Sequence, residues 1–360
     1  MDRPGHQGHQ RNAPGLLARS RSADLRAAHV RLPGDRRGDP RKPGCAAVTV
    51  DAAPRIETTL AGVRLRNPVV LAAGTAGELD EFADALPLEE IGAVTTKSIT
   101  REPRAGNAPW RLIELPVGML NAIGLANPGV EAFVRDRLPR AAQLPCPVIA
   151  SAAGHSIDDY VAVASAFDGR REAALIELNV SCPNTATGLQ FGDDPRLLAD
   201  LLRAVRPAVI HKRIFVKLSP GAGDLVRLAE TAVAGGADGL TLVNTFPALS
   251  IDPETRRPRL SRGSGGLSGP AIHPIAVRVV HDVHRLVTRG AAIPIIGLGG
   301  VMRWEDAAEF ILAGATAVGI GTGLFVDPKL PRRVARGLCS WTERQGVRSI
   351  SELVGAMEAP

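Results

Sequence analysis

Residues 293–323 read IPIIGLGGVMRWEDAAEFILAGATAVGIGTG. A short β-branched run, Ile293–Leu298, ends in Gly299-Gly300. An amphipathic stretch, Trp304–Ala313, follows and closes on Gly314-Ala315, and a second apolar run, Ala317–Ile320, ends in Gly321-Thr322-Gly323. Runs this short and this continuously apolar suit strands buried on both faces of a parallel sheet, with a crossover helix between them. The glycines after both strands leave backbone N–H groups approachable without a Cβ, which is what a phosphate needs. For any single glycine a tight turn explains as much; two clusters on neighbouring strands favour a phosphate-bearing ligand.

The same alternation extends back to Ile56. Earlier apolar runs are Asn67–Ala73, Ala93–Ile99, Pro147–Ser151, Leu175–Val180, Ile214–Leu218 and Leu240–Asn244. Helical patterns such as Pro195–Val205, Asp224–Ala234 and Pro274–Leu286 lie between them, with Asp, Pro or Ser at their starts. Eight strands and eight crossovers in roughly 300 residues predict an α/β fold, a (β/α)8 TIM barrel. A doubly wound open sheet would carry a G-x-G-x-x-G at the start of a helix, and none stands there. Residues 56–68, IETTLAGVRLRNP, predict a β-hairpin plugging the end opposite the active face. Two connections, Thr100–Cys146 and Thr245–His273, are much longer than the rest. Both follow strand C-termini, where barrel enzymes build their sites, so they are expected to be loops acting as lids or substrate walls.

With 45% hydrophobic and 22% charged residues the chain is of the soluble globular class. Its net charge of +6 comes from residues 1–50, which hold ten basic and four acidic residues and leave 33 of each to the remainder. The basic character therefore describes one segment and gives no ground for a nucleic-acid partner. Residues 1–54 lack any apolar period and predict a disordered basic extension, with the catalytic domain at 55–360. Four cysteines without a C-x-x-C pair exclude a disulfide scaffold, a zinc ribbon and an in-chain iron–sulfur cluster, and no metal site is expected. The run Phe310–Val326 holds four glycines and reads as helix end, turn and strand, so no membrane span is expected. No secretory h-region follows Met1, which points to the cytoplasm.

In a barrel the strand ends converge on one mouth. They carry Lys97-Ser98, Asn179 with Ser181-Cys182-Pro183-Asn184, Lys217, Asn244-Thr245, Gly297 with Gly299-Gly300, and Gly321-Thr322-Gly323. A lysine within an apolar strand is costly unless it meets an anion or an electron-rich ring. Cys146 and Cys339 read as inert packing residues, whereas Cys182 sits in a polar run at the active face and suits a general base. Barrel chemistry on a sugar phosphate would call for paired carboxylates; only Glu177 stands on these strands, sharing a face with Asn179.

The strings NPVVLAAGTAG, TTKSITREPRAGN, GMLNAIGLANPG, ELNVSCPNT, VKLSP, LVNT, GGLSGPAIHP, IIGLGG and GIGTG follow one another across residues 56–356. Together they resemble the dihydroorotate dehydrogenase family. Cys182, where membrane-associated class 2 members have serine, makes the resemblance one to class 1. NAIGLANPG and SCPNTATGLQFG look like its NAD-linked B type more than its fumarate-linked A type. The resemblance implies oxidation of (S)-dihydroorotate to orotate in de novo pyrimidine (UMP) biosynthesis, with Cys182 removing the C5 proton while hydride passes from C6 to FMN. It implies one FMN per chain, its phosphate against Gly269, Gly299, Gly300, Gly321 and Thr322. Lys97, Ser98, Asn179, Lys217 and Val243 would lie along its ring and ribityl chain. Positions 73 and 151 are also implicated in flavin contacts, and Ala73 and Ser151 depart there from the common Ser and Asn. His273 likewise replaces a common Lys. The pyrimidine would be held by Lys97, Asn121, Ala122, Ile123, Gly124, Leu125, Asn179, Asn184, Asn244 and Thr245. The resemblance further implies a homodimeric core and a second polypeptide carrying FAD and a 2Fe–2S cluster that passes electrons to NAD. The alternatives are a fumarate-linked class 1A enzyme or another FMN barrel oxidoreductase acting on a related pyrimidine.

Overall fold

The computed structural model describes residues 55–79, 81, 84–181, 191–221 and 224–358. The expected extension, residues 1–54, lies outside the described residues. In chain order the strands are β1 (Thr58–Leu60), β2 (Val63–Leu65), β3 (Val69–Leu71), β4 (Ala93–Thr95), β5 (Leu112–Leu115), β6 (Gly118–Asn121), β7 (Val148–Ala152) and β8 (Leu175–Asn179). They continue as β9 (Arg213–Leu218), β10 (Gly239–Leu242), β11 (Phe246–Leu249), β12 (Ile251–Asp252), β13 (Arg257–Pro258), β14 (Ser264–Ser268), β15 (Ile295–Leu298) and β16 (Ala317–Ile320). Strands β3, β4, β7, β8, β9, β10, β15 and β16 close into a parallel barrel, β16 pairing with β3. Each of the eight corresponds to one of the apolar runs read from the sequence.

The helices wrap the barrel where the 3.6-residue pattern places them. Helix Ile157–Asp168 starts on a capping box in which Asp159 N–H donates to Ser156 Oγ at 3.1 Å and Ser156 N–H donates to the Asp159 carboxylate at 3.2 Å. Helices Pro195–Ala208 and Leu225–Ala234 are capped by Asp194 and Asp224. Outward-facing strand residues, among them Val69, Leu71, Ile176, Leu178, Val216 and Leu240, join the helices' apolar faces in the main core.

The barrel interior is graded, because alternate residues of a strand share a face. At one end Val70, Ala93, Ile149, Leu175, Phe215, Ile296 and Ala317 form an apolar cluster with Leu60 and Leu65 of the antiparallel β1–β2 hairpin. That hairpin is the expected plug. Two residues further along the same strands the inward positions become Thr95, Ser151, Glu177 and Lys217, joined by Thr241, all at most 5% exposed. Another step brings Lys97, Asn179, Ser219 and Val243 to a cavity at the mouth. The interior thus runs from hydrocarbon to polar along its axis, and this gradient positions the site.

The two long connections differ from the expectation of loops. They pair with each other as a four-stranded antiparallel sheet in the order β11–β14–β6–β5, with β12–β13 as a separate hairpin. Ile113, Leu120 and Leu260 give this sheet a small core, with Leu115, Ala122, Ala248 and Leu267 packed against it. Each segment alone supplies too few apolar residues to show a strand period. The core exists only once β6 meets β14, as in the pairing of Leu120 with Leu267.

Candidate active site

Between the strand ends and this sheet lies a cavity of about 640 Å³, within the usual range for a small-molecule site. Lys97, Ser98, Asn179, Lys217, Val243, Asn244 and Thr245 enter it from the mouth, and Ala73 with the Asn121–Leu125 turn lines its side. Gly269, Gly299, Gly300, Gly321 and Thr322 line its glycine end. Ser151 is fully buried one layer beneath. Cys182 and Asn184 lie outside the described residues, although Ser181, which precedes Cys182 in the chain, lines the cavity. A larger depression of about 1090 Å³ on the outer sheet, between Trp110–Pro116 and the β12–β13 hairpin, holds none of the strand-end residues.

The polar side chains of the mouth form one hydrogen-bonded network. Asn244 Nδ2 donates to Asn179 Oδ1 at 3.2 Å and to Ser181 Oγ at 3.0 Å, and Ser181 Oγ donates to Asn179 Oδ1 at 2.7 Å. Asn179 Nδ2 donates to Ser98 Oγ at 3.0 Å, and Ser98 Oγ lies 2.9 Å from Ser151 Oγ. Thr245 N–H donates to Asn244 Oδ1 at 2.8 Å. Such cross-links hold each amide in one orientation, so that donors and acceptors are fixed before a ligand arrives.

The Lys97 ammonium is held below its ordinary pKa, chiefly by burial and then by the positive charges of Arg111 and Lys217, with Glu78 acting in the opposite sense. Two cations brought together at the mouth make an attractive site for an anion. The buried Cys146 thiol is pushed up to about 11 by desolvation, as suits an inert packing residue.

The glycine end fits the phosphate of a flavin mononucleotide. Gly300 has φ +70° and Gly269 φ +95°. A Cβ at Gly300 would lie 2.7 Å from the Gly269 carbonyl oxygen and 2.8 Å from His273 Cβ. The main chain therefore closes to a cradle that only glycine permits. Thr322 Oγ1 donates to Ser268 Oγ at 2.8 Å, tying the β16 loop to β14. His273, where the family commonly has lysine, packs edge-on to Phe310 and places Nδ1 2.9 Å from the Gly299 carbonyl, supporting the cradle from behind.

Several contributors escaped the sequence reading. Asn127 fastens the Asn121–Leu125 turn: its Oδ1 accepts from Thr100 and Gly129 N–H at 3.2 and 2.9 Å, and its Nδ2 donates to the Leu125 carbonyl at 2.7 Å. Its place in NAIGLANPG was the available signal. The chain's single tyrosine, Tyr160, donates its hydroxyl to the Asn179 carbonyl at 2.6 Å. Arg104, Asn107, His155 and Arg262 also line the cavity and come from segments whose approach to the mouth depends on long-range packing.

Residues 55–341 match the family model described as dihydroorotate dehydrogenase. Curated relatives include the protein of Trichlorobacter lovleyi named dihydroorotate dehydrogenase B (NAD(+)), catalytic subunit, 44% identical over 306 residues, covering 85% of this chain and 99% of the relative. The protein of the same name from Desulforudis audaxviator is 47% identical over 298 residues, covering 82% and 95%. A Solibacter usitatus protein named as a candidate dihydroorotate dehydrogenase A (fumarate) is 46% identical over 306 residues, covering 85% and 99%. The chain belongs to the dihydroorotate dehydrogenase family.

Proposed function

We propose that this chain is the catalytic subunit of an NAD-linked dihydroorotate dehydrogenase, oxidising (S)-dihydroorotate to orotate in de novo pyrimidine biosynthesis. The carrying observation is a near full-length match to family members whose printed names give that activity, over a mouth where two lysines and several oriented amides meet a glycine cradle. Bound FMN supplies the acceptor for the C6 hydride. The chain's own residues would bind, orient and deprotonate. Lys97 and the Asn121–Leu125 turn suit the substrate carboxylate, the first as a cation and the second through backbone N–H groups. Asn179, Asn184, Asn244 and Thr245 suit the ring's two amide units, since a carboxamide offers both donor and acceptor. Cys182 takes the C5 proton as C5 and C6 become doubly bonded. Lys217, Ser98, Val243 and Ala73 belong to the flavin side in this reading, with Ser151 one layer beneath them behind Ser98, and Gly269, Gly299, Gly300, Gly321 and Thr322 to its phosphate.

The reading extends to a homodimeric core, with FAD and a 2Fe–2S cluster on a separate subunit. The words "catalytic subunit" in the relatives' names support a second polypeptide, and four cysteines without a C-x-x-C pair support placing the cluster there. No helix among the described residues is long and apolar enough to cross a membrane. The 46% identity to a relative named for the fumarate-linked type keeps that acceptor as the second reading.

The test is spectroscopic. The purified protein should show flavin absorbance that anaerobic dihydroorotate bleaches, and NAD should restore it only once the iron–sulfur partner is added. Cys182→Ala should keep FMN and orotate binding while bleaching slows by about 100-fold or more. A colourless protein that FMN does not reconstitute would overturn the assignment. Restoration by fumarate without a partner would transfer it to the A type.

A further inference from the structure

Among the described residues, Glu177 is a carboxylate buried inside the upper barrel to which the proposed reaction gives no role. It is 2% exposed and lies on β8, two residues below Asn179 on the same inward face, in register with Ser151 of β7. Thr241 Oγ1 donates to its Oε2 at 2.9 Å and Ser151 Oγ to its Oε1 at 3.3 Å. In both contacts the carboxylate is the acceptor. That property has consequences further along the chain of contacts.

Ser151 has a single hydroxyl proton, and it is committed to Glu177. In the 2.9 Å contact between Ser98 Oγ and Ser151 Oγ the donor must therefore be Ser98. Ser98 then has no proton left and accepts from Asn179, whose Nδ2 is 3.0 Å away. With its NH2 group so directed, Asn179 turns Oδ1 toward Ser181 Oγ at 2.7 Å and Asn244 Nδ2 at 3.2 Å. Every bond from Asn244 to Glu177 thus points the same way. A neutral amide at position 177 would weaken this polarity: its NH2 can donate to Ser151 and Ser151 to Ser98, so that Ser98 can aim its own proton at Asn179, whose Oδ1 is then held only by the Ser181 N–H at 3.4 Å, Ser181 Oγ and Asn244 Nδ2.

We infer that Glu177 is a positioning residue for the substrate, holding through Ser151 and Ser98 the direction in which Asn179 offers its hydrogen bonds to the pyrimidine ring, while the Thr245 N–H fixes Asn244 separately. The inference rests on the proposed dihydroorotate reaction and adds a specificity determinant that touches neither substrate nor flavin. A carboxylate buried in this layer is expensive unless its acceptors are filled. The two hydroxyls fill them, and the surplus negative charge polarises the chain above.

The experiment compares the wild-type holoenzyme with Glu177→Gln, Ser151→Ala and the double variant, measuring FMN content, KM and kcat for dihydroorotate and Kd for orotate by flavin difference spectra. Glu177→Gln should keep its FMN while KM and orotate Kd rise about tenfold and kcat falls less. Ser151→Ala, which cuts the same chain one link higher, should raise orotate Kd similarly, and the double variant should be little worse than either single one, because a cut chain cannot be cut again. Thr241→Val, which removes a donor to Glu177 outside the chain, should change Kd by less than threefold. Orotate Kd within twofold of wild type in Glu177→Gln overturns the inference. Should Glu177→Gln fail to fold, an unchanged Kd in Ser151→Ala overturns it instead. A wild-type flavin that dihydroorotate does not bleach would count against the reaction assigned to the chain, which separates that failure from this one.

Discussion

Among individual residues, Lys97 shows how placement changes chemistry. Burial and the charges of Arg111 and Lys217 depress its pKa, so the native protein releases this proton at lower pH than the unfolded chain does. Between the depressed value and the ordinary lysine pKa of 10.5 the unfolded state holds more protons, and stability from this group rises with pH. Binding of an anion runs the other way, because it requires the ammonium. Orotate affinity should fall as pH rises through the depressed Lys97 pKa, and Lys97→Met should bind more weakly and lack that limb. Titrating flavin spectra with orotate from pH 6 to 10 checks this; parallel profiles for the two proteins would remove Lys97 from the anion site. The lysine, the asparagines and the glycines were legible in the sequence because they interrupt apolar strands. Asn127 and Tyr160 were not, since their partners, Thr100 and Asn179, are 27 and 19 residues away and only the fold brings them within hydrogen-bond reach.

At the level of elements, the eight barrel strands followed from short apolar runs, and the β15 connection shows why its glycines stand where they do. Gly300 combines a positive φ with backbone and side-chain atoms closer than a Cβ allows. Gly300→Ala should cost about 1–3 kcal/mol of strain and widen the cradle. The expected result is a folded barrel with Tm lowered by a few degrees and flavin-to-protein ratio cut severalfold, read by absorbance after gel filtration. Full flavin occupancy would mean that this turn does not contact the phosphate. The outer sheet stood at the opposite extreme of legibility. Its strands are short, rich in glycine and proline, and paired across about 145 residues of chain, as in Gly266 with Asn121. Gly266 lies over Thr245, whose Cβ would be 2.6 Å from an added Cβ, so the roof of the site is set by a contact that neither segment announces.

For the whole molecule, the barrel is a graded tube closed at one end by the β1–β2 hairpin and roofed at the other by the outer sheet. The Ile350 N–H donates to the Arg55 carbonyl at 2.8 Å, so the chain ends of the barrel meet near its first described residue. A protein beginning at Arg55 should therefore keep the wild-type Tm and rate of flavin reduction. Removing residues 55–66 as well takes Leu60 and Leu65 from the closed apolar end. At about 1.5–3 kcal/mol for each buried leucine, that loss should abolish cooperative thermal unfolding. Calorimetry of the two truncations distinguishes them, and an unstable shorter truncation alongside an equally unstable 55–360 protein would place structural contacts upstream of Arg55.

The sequence by itself determined the alternating elements, the closed parallel barrel, the family and the side chains gathered at the mouth, because these depend on periodicity and on residue types that are costly unless they have a purpose. Tertiary structure alone decided that two long connections become one antiparallel roof, that Ser151 lies beneath the cavity, and that Glu177 orients a file of hydrogen bonds. Those outcomes depend on pairings between residues tens to more than a hundred positions apart, and a direction of hydrogen bonding has no meaning until donor and acceptor stand three ångströms from each other.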